Sequence, residues 1–410
     1  MNASDTPAIV GGTPVRDIAQ KPWPVWPIYD AADERALLEV LHSGVWWYVD
    51  GEAGKSFEQE FAALHEAAYA VACTNGTAAL EIALRALGIG CGDEVIVPPY
   101  TFVATASAVL AVGATPVFVD IEGDTLNIAP QLISEAITPR TRALIPVHIA
   151  GRPADMDAIL EIARKHDLKV IEDAAQAHAA EWKGRKVGAL GDIGTFSFQA
   201  SKNLNAGEGG ILISNNEEIA DAAWSVTHVG RVRSGRWYEH RVLGGNFRIT
   251  EFQSAILRVQ LQRLPQQTAL RAANATALRA LLQQIPGIAL PREDARITCH
   301  ANHLFTFRYQ AEAFGGRSRD AFIAALEAEG VPCSSGYVPL YKEGLFARVA
   351  AGTGAWCRAG RRIAYGELHL PECEAVCADT VWLQQNLLLG AASDVEEIAT
   401  AIAKLQRAWG

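Results

Sequence analysis

Residues 170–210 read VIEDAAQAHAAEWKGRKVGALGDIGTFSFQASKNLNAGEGG, and the rest of the chain is organised around them. The run 168–172 is short and apolar with Val and Ile, the pattern of a buried strand, and it ends at Asp173. In α/β sheets ligands bind beyond the carboxyl ends of the strands, so an acid there stands where a ligand would sit. A second β-like run, 193–198, follows. Lys202 comes soon after it, in a segment rich in Ser, Asn and Gly. Taken singly, Asp173 is an ordinary strand-end acid and Lys202 a solvated lysine.

Together they are the pair that a pyridoxal phosphate enzyme needs. The lysine amine condenses with the aldehyde as a Schiff base and later moves the substrate Cα proton. The acid keeps the pyridine nitrogen protonated, so the ring can act as an electron sink. The pattern EDAAQAH, then GTFSFQASK, then GEGG resembles the DegT/DnrJ/EryC1/StrS sugar aminotransferases, whose usual form is EDxAQA(H), FSFxxxK and a GEGG turn. That resemblance implies an α/β, fold-type I transferase, similar to aspartate aminotransferase. It would have a large domain with a mainly parallel sheet and a smaller α+β C-terminal domain.

The totals agree with such an enzyme. The chain has 410 residues, half of them hydrophobic, enough for two or three domains' worth of core. A net charge of −10 with no basic run argues against a nucleic-acid surface. The first thirty residues lack a secretory pattern, and no apolar run approaches the ~20 residues of a membrane span. Cysteines at 73, 91, 299, 333, 357, 373 and 377 are scattered. The CxxxC at 373–377 has no second pair or His cluster to complete a zinc site, so no metal and reduced thiols in a cytoplasmic protein are expected.

Residues 1–27 are Pro-rich, with KPWPVWP near their end, and read as an extended arm. From 69 to 170 strand and helix patterns alternate, which predicts a parallel sheet covered on both faces. The strand 69–73 runs through Thr74-Asn75-Gly76-Thr77 into a helical segment. Free N–H groups and the helix dipole favour an anion there. By the resemblance this is the phosphate loop, carried by Gly76 and Thr77. In PPYTFVAT, Phe102 is a core phenylalanine by pattern alone; the resemblance places it on the face of the cofactor ring. His148 follows a strand, where a single His is more often structural.

The resemblance further implies that Gln176 contacts the 3-hydroxyl side of the ring, with His178 two residues on. Ser197 would bind phosphate next to Lys202. In GGNFRITEFQSAILRVQL, Asn246 would reach the cofactor phosphate of a neighbouring subunit, making a homodimer with shared active sites. The loop 226–238 is rich in Arg and aromatics, and Arg231 is a candidate for a substrate carboxylate or phosphate, or equally a solvated residue. A long helix is expected from about 267 to 283, followed by a smaller unit in which Tyr337, Tyr341 and Lys342 are substrate-side candidates. The expected division is an arm at 1–27, a large cofactor domain at 28–266, and the long helix with a small domain at 267–410.

The function implied is a ping-pong aminotransferase. Glutamate or glutamine would be the amino donor, and a keto-sugar or keto-cyclitol the acceptor, in amino-sugar or antibiotic biosynthesis. The segment GVWWYVDGE and the spelling FSFQ look most like the secondary-metabolite branch. That branch also holds the 3-amino-5-hydroxybenzoate synthases, which dehydrate and aromatise an amino-shikimate with the same lysine. A non-catalytic cofactor-binding regulator would be expected to have lost Lys202 or Asp173; both are present.

Overall fold

The computed structural model describes residues 6–352 and 363–410. A seven-stranded sheet forms its centre, in the spatial order Tyr69–Cys73, Gly210–Ser214, Ile193–Ser197, Lys169–Asp173, Thr141–Leu144, Glu94–Val97, Thr115–Phe118. Neighbours from Ile193–Ser197 to Thr115–Phe118 pair in parallel. Gly210–Ser214 and Tyr69–Cys73 close the other side with antiparallel pairings. Alternate side chains feed two cores. Ile96, Val170, Phe196 and Ile211 point to one, and Val95, Val97, Ile171 and Leu212 to the other. Burial on both faces is why these strands read as continuous apolar runs. Beyond the strand Thr141–Leu144, Val147 makes an isolated parallel bridge to Asp173.

The long helix starts sixteen residues earlier than expected, spanning Glu251–Leu282. Pro265 lies inside it and reads as a breaker, but the helix continues through. Its real start is a capping box, in which Thr250 accepts from the Gln253 backbone and the Gln253 side chain reaches back to Thr250. The boundary drawn at 266/267 therefore falls within an unbroken helix. Beyond it, a four-stranded antiparallel sheet runs Ile288–Ala289, Leu304–Tyr309, Thr380–Gln384, Ser334–Ser335. Phe307, Phe314, Phe322, Leu388 and Ile398 fill a separate core here, with the helices Arg319–Ala328 and Ala392–Trp409.

The Pro-rich segment, from Thr6 on, runs along this C-terminal part and is pinned to it. The buried Arg16 guanidinium bonds Asp394 at 2.8 Å and Glu397 at 2.5 Å, donates to the carbonyls of Lys21 and Pro22, and lies 3.7 Å over the Trp23 ring. Residues 1–5 and Cys357 lie outside the described residues. Cys73, Cys299, Cys333, Cys373 and Cys377 are free thiols, whereas Cys91 is disulfide-bonded, against the expectation of uniformly reduced cysteines. The Cys373 and Cys377 sulfurs sit 3.9 Å apart on one helix turn. No helix among the described residues is long and apolar enough to cross a membrane.

Removing one partner of a buried ion pair strands the other. Arg16→Met is expected to cost about 3 kcal/mol in urea unfolding. Burial works against the Asp394 carboxylate, but Lys21 and Arg16 hold it down at about 2. Its contribution is therefore complete above the ordinary Asp value and lost as pH falls toward 2. The variant should show a shallower acid limb than the wild type, measured as unfolding midpoint against pH.

Candidate active site

The strands of the parallel sheet end on one edge, and a cavity of about 870 Å³ opens there. Asp173 closes its strand at this edge and is buried, with 5% of its surface exposed. Thr105 Oγ1 donates to Asp173 Oδ2 at 2.8 Å and the Ala175 N–H to Oδ1 at 3.2 Å. Burial raises the Asp173 pKa, while these bonds and the charge of Lys202 oppose the rise. Lys202 lines the same cavity. Burial pushes its ammonium down to about 8, with Asp173 pulling the other way, so a useful share is free amine near neutral pH.

The phosphate cradle forms where the edge strand Tyr69–Cys73 runs into its helix. Asn75 caps the helix Gly76–Ala86 by accepting the Ala78 N–H at 2.8 Å. The N–H groups of Gly76 and Thr77 keep no protein partner among the described residues and face the anion end of the helix. Ser197 lies against them: a Cβ on Gly76 would come within 2.7 Å of the Ser197 Cβ, so only glycine admits this approach. Gln176 is locked by accepting the Ala150 N–H at 2.6 Å and donating to the Tyr337 hydroxyl at 3.0 Å. Phe102 projects into the cavity and is 57% exposed.

Eight of the expected residues thus meet in one cavity: Gly76, Thr77, Phe102, Asp173, Gln176, Ser197, Lys202 and Tyr337. The other candidates, Tyr341 among them, do not line it. His178 is fully buried behind the sheet edge, with its ring centroid 5.6 Å from Phe196 and 5.8 Å from Phe198. Lys342 is ion-paired to Glu374 at 3.0 Å, and its neighbour Tyr341 is buried against Phe118. Arg231 stacks over Trp237 at 3.9 Å. Asn246 bridges His228 on the loop carrying Arg231. His148 donates from Nε2 to Glu172 at 2.9 Å and is structural, as its isolation suggested.

Sequence reasoning missed Thr105, although it stands in the PPYTFVAT segment, and missed the cap role of Asn75. It also missed the far wall, built by His303, Ser334, Trp382, Gln384 and Gln385. No local pattern marks those five.

An aldehyde-bearing pyridine with a phosphate finds its complements here. The chain offers an amine of lowered pKa, a buried acid, and two free N–H groups at a helix N-terminus beside a serine hydroxyl. The class this defines is the fold-type I pyridoxal phosphate enzymes. Residues 27–382 match the DegT/DnrJ/EryC1/StrS aminotransferase family, and the chain belongs to that family. It is 38% identical over 429 residues to L-glutamine:2-deoxy-scyllo-inosose aminotransferase of Streptoalloteichus tenebrarius, covering 98% of each chain. It is also 38% identical over 383 residues to 3-amino-5-hydroxybenzoate synthase of Amycolatopsis mediterranei, covering 93% of this chain and 96% of that one. The crystal structure of S. venezuelae DesV in complex with a ketimine intermediate superposes with a TM-score of 0.81 at 36% identity, over 93% of this chain and 99% of that one. The protein is a pyridoxal phosphate-dependent aminotransferase.

The cradle makes a direct prediction. Gly76→Ala forces the helix N-terminus away from Ser197 and should weaken pyridoxal phosphate binding at least about tenfold, roughly 1.4 kcal/mol. Equilibrium dialysis checks it, with circular dichroism showing the fold intact. An unchanged dissociation constant would put the phosphate elsewhere.

Proposed function

We propose that this enzyme moves an amino group from glutamine or glutamate to a keto-cyclitol or keto-sugar in amino-sugar or antibiotic biosynthesis. The observation that carries the reading is the convergence of Lys202, Asp173 and the Gly76–Thr77 helix end on one cavity. The L-glutamine-dependent cyclitol aminotransferase among its relatives supports the substrate class. The bound cofactor supplies an electron sink for the substrate's Cα electrons. Lys202 would hold the cofactor through its amine, and the same amine, once freed, would take up and return the donor Cα proton. Asp173 would accept the ring N–H and balance its charge. Ser197, Gly76 and Thr77 would hold the phosphate, Phe102 would cover one ring face, and Gln176 would set the ring's 3-hydroxyl side.

The working form we propose is a homodimer. In the single chain Trp46 (51%), Trp237 (51%), Leu243 (81%) and Tyr238 (84%) are exposed, an unusual apolar display on one connected set of loops. Trp47 packs edge-on to Trp237 at 5.9 Å and Trp46 lies 5.7 Å from Phe252, which ties these loops to the one bearing Asn246. Asn246 would then complete the partner's phosphate site. A cytoplasmic location is proposed from the five free thiols among the described residues, against which the bonded Cys91 stands as the exception, and the arm, large domain and small domain are proposed as the working units. The second, less supported reading is a dehydratase–aromatase, which rests on the 38% identity to the 3-amino-5-hydroxybenzoate synthase.

Borohydride should bleach a visible band in the purified holoenzyme, and Lys202→Ala should lose that band and all turnover while remaining folded. Addition of glutamine or glutamate should convert the wild-type band to a pyridoxamine-like one. A band that persists with both donors, together with turnover of an amino-shikimate, would establish the second reading. Mixing inactive Lys202→Ala with Asn246→Ala should yield heterodimers whose two sites differ in cofactor occupancy. Equal occupancy in Asn246→Ala and wild type would count against the phosphate role.

A further inference from the structure

The far wall of the cavity carries two polar groups whose hydrogen-bond roles are set from behind. Leu304 and Gln384 pair across the antiparallel C-terminal strands, and the next residues outward, His303 and Gln385, both line the cavity. Asn203, the residue after Lys202, donates from Nδ2 to the Ala301 carbonyl at 2.7 Å. Its Oδ1 is therefore the atom that faces His303 Nδ1, 3.1 Å away, and it can only accept. His303 Nδ1 must carry the proton. The ring is neutral, because burial and the nearby Lys202 charge hold its pKa well below the usual range. Nε2 then carries the lone pair, and the ring's hydrogen bond to the protein, among the described residues, is the one at Nδ1, on a residue that lines the cavity.

Gln385 is oriented by the same logic. The fully buried Arg271 donates from Nε to Gln385 Oε1 at 2.8 Å. A guanidinium has no acceptor, so the oxygen of Gln385 must face it and the NH2 must face away, on the cavity side. The wall thus presents one acceptor and one donor, side by side, and neither can reverse without breaking the bond behind it.

We propose that His303 and Gln385 read the side-chain carboxamide of the amino donor, so that the site takes L-glutamine and rejects L-glutamate. The Gln385 N–H donates to the amide oxygen of the donor, and the amide N–H donates to His303 Nε2. A carboxylate has no hydrogen to offer. It would set an oxygen lone pair against the Nε2 lone pair and leave both unpaired in a partly dry site. Sites built to hydrogen-bond a substrate N–H reject the analogue that lacks it, here by about 10²-fold or more. The proposal rests on the aminotransferase reading above and makes His303 a specificity residue for its first half-reaction.

The test compares the two donors in holoenzyme, His303→Phe and His303→Gln, following loss of the visible band in single turnovers. The wild type should favour glutamine by about 10²-fold or more in kcat/KM. His303→Phe removes the acceptor. His303→Gln gives Asn203 its NH2 and so presents its amide oxygen, an acceptor, to the cavity. His303→Phe should cut the glutamine-to-glutamate ratio at least tenfold, with the KM for glutamine rising, and His303→Gln should keep most of the preference. Binding to the pyridoxamine phosphate form, where no amino donor reacts, should show the same pattern by calorimetry. An unchanged ratio in His303→Phe, or an equal loss for both donors, overturns the proposal even if transamination proceeds. If neither donor converts the wild-type band, the aminotransferase reading fails, and equal binding of the two amino acids would then overturn this one separately.

Discussion

A charged group held inside the protein at the end of a strand is the constraint around which the structure is arranged. Burying an isolated carboxylate is costly enough that the group would normally neutralise. Asp173 stays where it is because Thr105, the Ala175 amide and Lys202 surround it. The residue before it has the same problem on the other side of the strand. Glu172 is fully buried and accepts from His148 and from the backbone N–H groups of Gly188, Leu190 and Gly191 at 2.6–2.9 Å. Burial would raise the Glu172 pKa, but these bonds bring it below its ordinary value. One strand therefore carries two adjacent acids with opposite duties. Alternation sends Glu172 into a loop that it braces and Asp173 into the cavity.

That bracing reaches well beyond one strand. His148 Nδ1 accepts the Ala154 N–H at 3.0 Å, which leaves Nε2 as the donor to Glu172. The loop holding His148 also holds Ala150, whose N–H orients Gln176, and Gln176 in turn holds Tyr337 of the C-terminal part. Tyr337 packs edge-on to Tyr100 at 5.4 Å and to Trp382 at 4.6 Å, and Trp382 donates to the Tyr100 hydroxyl at 3.0 Å. The cavity is consequently walled by two separately cored units. The helix Glu251–Leu282 belongs to both: Leu257 and Leu264 pack in the first core, Leu278 and Leu282 in the second.

Local chemistry made the floor of the site legible. Residues 69–77, 168–173 and 193–202 are each a strand with its exit loop, and the loop chemistry is written in adjacent letters. The chain must return to Gly76, Asp173 and Lys202 at strand ends, so apolar runs and turn residues place all three without distant information. The wall was illegible for the complementary reason. His303 and Gln385 lie about 100 and 180 residues from Lys202, one residue beyond the ends of strands whose pattern records only that they are buried. His178 misled in the other direction. It is spelled next to the site residues, yet the turn after Asp173 folds it against Phe196 and Phe198, where proximity in sequence has no chemical meaning. The long helix begins ahead of Pro265, at the cap that Thr250 and Gln253 form.

The division between floor and wall also separates what the site can change from what it must keep. Asp173, Lys202 and the Gly76 turn are held by backbone geometry, because a shift in any strand end would displace all of them together. The wall residues are held by single side-chain bonds from behind, Asn203 to His303 and Arg271 to Gln385. A change at one such supporting residue alters which face of a wall group meets the substrate and leaves the sheet intact. Asn203 joins the two systems. It follows Lys202 directly in the chain and is buried, so the residue that orients the wall is carried on the same loop as the reacting amine. Reactive amine and wall histidine are therefore placed by one short segment, and a substrate held by the wall is positioned relative to Lys202 rather than to the sheet at large.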